Sequence, residues 1–142
     1  MFLPASRKWN VLERLVPSQV VSGQRIPMEL TSLGRAYLAV APSDVRAALF
    51  AIFEARRARQ WQHLYAEIEA AAASVRARGY CAAAWQPGVV AVATPLQVGA
   101  AVYALNCSVS TTDDFAAVVA ELSGPLLQLR AEIERGLASP PP

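Results

Sequence analysis

After Gly79 the chain changes its period, and this limits the fold more than any other feature. The runs "YCAAAW", "VVAVATPL" and "AAVYALNCSV" are short and β-compatible, and only "QPG" and "QVG" separate them. Such links are too short for the crossover that parallel strands need, so the three runs predict an antiparallel meander. On either side the period is helical. Leu33, Ala36, Tyr37 and Val40 predict a first helix, opened by Thr31-Ser32 and ended at Pro42. Val45, Ala48, Leu49, Ile52 and Phe53 form the apolar stripe of a second, for which Ser43 is a suitable N-cap. Trp61, Leu64, Tyr65, Ile68, Ala72 and Val75 mark a third, which stops near Gly79. After the meander, Phe115, Val118, Val119, Leu122, Leu126, Leu129 and Ile133 keep one phase across "SGP". That predicts a single helix bent at Pro125. Residues 10–22, "NVLERLVPSQVVS", read as two further short strands. The result is an α+β domain, one mostly antiparallel sheet with helices packed on it.

Composition sets the remaining bounds. The 142 residues fit one domain, and a chain 54% hydrophobic and 17% charged can bury a sizeable core. No apolar run is long enough for a membrane span, and the N-terminus has no signal-peptide pattern, so a cytoplasmic location is expected. A net charge of +2 is far from a nucleic-acid footprint, and "EARRAR" at 54–59 reads as a solvated helix face. Cys81 and Cys107 lack metal-type spacing and read as buried free thiols. The "LASPPP" end reads as a tail from residue 138.

Catalysis has little to stand on. The single histidine, His63, lies on the polar side of its helix, and Glu67 and Glu69 point to different sides. Asp113-Asp114 fit first-turn charges better than a metal site. There is no Gly-rich phosphate loop and no Cys/His cluster, so no enzyme activity, cofactor or metal is expected.

The order of segments resembles the effector-binding domain of IclR-type bacterial transcription regulators. The resemblance rests on Ile26-Pro27-Met28, Gly34-Arg35-Ala36, Arg78-Gly79-Tyr80 and Gly88, and spans about residues 10–137. It implies a GAF-like fold with a small-molecule pocket on one face of the sheet. It also implies a dimer or tetramer, a small organic or aromatic acid as effector, and DNA contact only through a winged helix-turn-helix domain outside these 142 residues. Two segments depart from the family pattern. "CAAAWQP" is short and lacks the usual acids, and Leu105-Asn106-Cys107-Ser108-Val109 replaces alternating serines.

Placed on that fold, the start of the first helix at Thr31, Ser32 and Leu33 lines one pocket wall. Gly34 lets the helix approach the sheet, and first-turn N–H groups make an anion site. The plainer alternative is an N-cap with a packing glycine. Period two sets Val89, Ala91 and Ala93 on one strand face, and Ala104, Asn106 and Ser108 on one face of the next. The polar pair Asn106 and Ser108 either binds a ligand or bonds to a neighbouring loop. Trp85 is a core aromatic or a pocket lid. The expected effector-binding set is therefore Thr31, Ser32, Leu33, Trp85, Val89, Ala91, Asn106 and Ser108. A ligand-free oligomerisation or scaffold domain of the same fold is the alternative. The small residues Ala82–Ala84, Ala91 and Ala93 favour the sensor, because small side chains facing helices leave space.

Overall fold

The computed structural model describes residues 25–138. The strands expected within residues 10–22 and the tail beyond residue 138 lie outside them. Helix α1 is Ser32–Val40, α2 is Ser43–Arg56, and a 3-10 turn at Ala58–Gln60 leads into α3, Trp61–Arg78. Strands β1 (Cys81–Ala83), β2 (Val89–Val98) and β3 (Ala101–Ser110) follow, and α4, Phe115–Ala138, closes the order.

The strands form an antiparallel meander in the order β1-β2-β3, as their spacing predicts. Val98 pairs with Ala101, so β2 and β3 join through the two-residue loop Gly99-Ala100. Gly99 opens it at φ 60°, a conformation that costs glycine little and matches the twist of the strands. Cys81, Ala93 and Asn106 fall in one cross-strand row and Ala83, Ala91 and Ser108 in another. Both rows point to the same face.

The sheet divides the core. On one face Val90, Val92, Cys107 and Val109 pack against Val118, Leu122 and Leu126 of α4. The other face carries α1 and α3, where Cys81 and Ala93 meet Ala36, Ala71 and Val75. A third cluster lies between helices and joins Leu38, Phe53, Leu64 and Ile68. Pro125 sits inside α4, which continues through it as one helix.

Three expectations need correction. Ser43 is the first residue of α2, not its cap, and no side chain caps that helix. The α2 stripe is core only in part, where Phe53 and half-buried Leu49 pack in the cluster between helices. Only Phe53 is buried, whereas Val45, Ala48 and Ile52 are exposed. The basic run is not a purely solvated face either, since Arg57 Nε donates to Glu29 Oε1 at 2.7 Å and Glu29 is 1% exposed.

Candidate functional site

The Arg78-Gly79-Tyr80 junction is built to aim β1. Gly79 closes α3 in the left-handed region at φ 86°, its N–H bonded to the Val75 carbonyl. Its own carbonyl accepts from Thr94 Oγ1 at 2.6 Å and from Arg130 Nη1 at 3.3 Å. Arg130 Nη1 also donates to Thr94 Oγ1 at 2.7 Å. Three elements, α3, β2 and α4, are thus tied at one point, and β1 leaves it in a fixed direction. Ser74 Oγ donates to the Tyr80 carbonyl at 2.6 Å, and the Arg78 guanidinium lies over the Tyr80 ring.

Along β1 runs a groove walled by α3 and the first turns of α4. It comprises two adjoining cavities of about 460 and 370 Å³ that share Arg35, Glu67, Ala82 and Phe115. Trp85 and Leu30 extend the smaller one. Arg35 lines both cavities with Glu67 and is only 8% exposed. Its Nε donates to the Glu29 carbonyl at 3.0 Å and its Nη2 to Glu67 Oε2 at 2.8 Å. Those bonds hold the fork and leave Nη1 with no hydrogen bond among the described residues. Cys81 also lines the groove. Burial pushes its thiol up to about 11 against the pull of Arg35, so it is a protonated thiol and no nucleophile at neutral pH.

The sequence-predicted residues do not converge on this groove. Thr31 is the N-cap of α1, its Oγ1 accepting from Gly34 N at 3.1 Å. One first-turn N–H is therefore already satisfied. Gly34 approaches the backbone of Met28, not the sheet; a Cβ there would lie 2.1 Å from the Met28 carbonyl oxygen. Ser32 is buried, and its carbonyl receives the Cys81 thiol at 3.4 Å. Thr31 and Leu33 line a separate cavity of about 210 Å³ with Tyr37 and Ala104. Ala91 is buried, Val89 and Ser108 are half-buried, and Asn106 is exposed; none of the four lines the cavities above. Asn106 and Ser108 are thus not a buried polar pair. Of the small residues, Ala93 leaves no void, because Ala36 and Ala71 pack against it, whereas Ala82, Ala83 and Ala84 line the groove. Trp85 is the one predicted residue on the groove. Arg35 escaped the reading because it sits off the α1 apolar stripe, and nothing in its neighbours' spacing marks the Glu29 carbonyl and Glu67 as its partners.

The groove brings the planar Arg35 guanidinium, paired with Glu67, together with the aromatic rings of Trp85 and Phe115. That combination suits a carboxylate on a flat apolar body. Among the described residues no group of His, Cys, Asp and Glu could hold a metal ion, and no helix is long and apolar enough to cross a membrane.

Solved structures give the class of the fold. The chain superimposes on an IclR-family transcriptional regulator from Brucella abortus with a TM-score of 0.74 and 24% identity, over 84% of this chain and 47% of that one. A protein from Rhodococcus sp. RHA1 assigned as a transcriptional regulator matches at TM-score 0.68 and 26% identity, over 85% and 52%. An IclR homolog from Microbacterium sp. strain HM58-2 matches at 0.53 and 20%, over 86% and 51%. The chain has the α+β fold of IclR-type transcription regulators and spans about half the length of these structures. No family model matches the chain, and no curated protein matches it significantly.

Proposed function

We propose that this domain is the effector-sensing module of an IclR-type transcription regulator and that its ligand is a small organic or aromatic acid. The reading rests on the groove along β1, which brings Arg35, paired with Glu67, together with Trp85 and Phe115. The ligand's carboxylate pairs with Arg35 and its apolar body lies against the rings. The module acts from the cytoplasm, as part of an oligomer, on a DNA-binding domain elsewhere in the regulator. The rival reading, a scaffold without ligand, gives the groove no role.

A thermal-shift screen with small carboxylic and phenolic acids tests this. A ligand at 100 times its dissociation constant should add about 2.7 kcal/mol to the unfolding free energy. A confirmed ligand should change the emission of Trp85 in a Trp9→Phe, Trp61→Phe background. Phe115→Ala should then weaken binding by about tenfold with little loss of stability, since Phe115 is 44% exposed. If no acid binds, the scaffold reading stands. If a ligand binds but Trp85 and Phe115 do not respond, the groove is not its site.

A further inference from the structure

Glu67 is a positioned carboxylate that opens on the groove. Its Oε2 accepts from Arg35 Nη2 at 2.8 Å, and its Oε1 lies 3.2 Å from His63 Nε2. Both oxygens are thus held, yet the side chain keeps 42% exposure and lines both cavities. Arg35 lines them too, and its bond to the Glu29 carbonyl fixes its position. The groove therefore presents opposite charges on neighbouring atoms.

That pairing bears on which acids the groove accepts. A plain carboxylate drawn to Arg35 must stand beside the Glu67 carboxylate, and like charges brought together work against binding. A plain amine drawn to Glu67 meets the guanidinium in the same way. A ligand that carries both charges on adjacent atoms answers both groups and adds no net charge. An α-amino acid does so, with its carboxylate and its ammonium on one carbon. The rest of the smaller cavity bears on the side chain. Ala82, Ala83 and Ala84 line it together with Leu30, Trp85 and Phe115. Its volume of about 370 Å³ is near the lower end of the roughly 300–1,000 Å³ usual for ligand pockets. Small methyls beside two aromatic rings suit a flat ring in the ligand.

We propose that the groove takes an aromatic α-amino acid and that Glu67 selects it over the corresponding plain acid. The carboxylate meets Arg35, the ammonium meets Glu67, and the ring lies with Trp85 and Phe115. This inference rests on the groove being the ligand site proposed above and adds the charge pattern of the ligand.

Titration calorimetry of the 142-residue chain tests it. The probes are L-phenylalanine, L-tyrosine and L-tryptophan, each beside its counterpart without the amino group, such as 3-phenylpropanoate for phenylalanine. At least one amino acid should bind about tenfold or more tightly than its counterpart, because only the amino acid makes the charge-assisted contact with Glu67. Glu67→Gln should remove that advantage and leave the plain acid bound as before or more tightly. A Glu67 that serves the fold alone would instead, on substitution, weaken both compounds alike. The comparison in the unaltered chain decides the matter even where the variant fails to fold. Plain acids that bind as tightly as the amino acids, or a folded Glu67→Gln variant that keeps the preference, would overturn the inference and leave the acid-sensor reading in place. If none of these compounds binds, the inference falls; the acid-sensor reading falls with it only where the wider thermal-shift screen is also empty.

Discussion

Gly34 tolerates no side chain for a reason its sequence neighbours conceal. The glycine is needed by the turn before the helix, whose Leu30 and Thr31 N–H groups both bond to the Pro27 carbonyl and whose Met28 backbone presses on the helix. Gly34→Ala should therefore destabilise the domain by about 1–3 kcal/mol, the cost of overpacking against rigid backbone, and urea unfolding would register it. Glu29, beside it, is the most deeply buried acid among the described residues. Burial alone would raise its carboxyl. The hydrogen bond from Arg57, a backbone bond and the charges of Arg57 and Arg56 outweigh burial, and the group titrates below its usual range near 4.5. The ionised form is thus the one that stabilises the fold. Its contribution is fully present above about pH 4.5 and is lost as pH falls through the lower, folded-state value. Unfolding free energy measured from about pH 6 to about pH 3 should show a fall that Glu29→Gln flattens. The same variant should be less stable at neutral pH, where it leaves Arg57 without its anion.

Elements depend on one another most visibly at Thr94, a hydroxyl with no solvent exposure on the α4 side of β2. It links the Gly79 carbonyl to Arg130 and so joins the end of α3 to α4 across the sheet. Thr94→Val keeps the shape but removes the bridge, and should cost about 1–3 kcal/mol, since it leaves buried groups unpaired. Arg130→Leu should cost a similar amount, and the double variant less than the sum, because both remove one network. Calorimetry on the three variants checks it. This network also marks the limit of what the residue order could convey. The meander, the breaks at Gly79, Gly88 and Gly99 and the continuous α4 all follow from local period and turn chemistry, which neighbours in sequence express. The partners of Thr94 and Arg130 lie 15 and 36 residues apart, and no local pattern records them. The α2 stripe misled for a related reason: period shows that a helix has an apolar face, but not whether the chain itself or another molecule covers it. Of the candidate site, Trp85 was legible because it stands in the shortened turn between two strands. Arg35 was not, because its role depends on a carbonyl six residues back and a carboxylate 32 residues ahead.

At the scale of the whole molecule the small net charge of +2 has a consequence for DNA. With so little charge and several of its arginines held in ion pairs, among them Arg35–Glu67, Arg46–Glu69 and Arg57–Glu29, the isolated chain should give no sequence-selective gel shift, and salt should abolish any weak retention. The two thiols belong to this scale as well. Cys81 faces α1 and α3, Cys107 faces α4, and the sheet stands between them. Burial raises both above the ordinary thiol range. Ellman's reagent should find neither thiol in the native domain and both after denaturation. The sheet thus keeps apart two buried sulfurs whose ionisation burial disfavours. Oxidant, reductant and their exchange should accordingly leave the fold unaltered, because neither thiol is exposed to react.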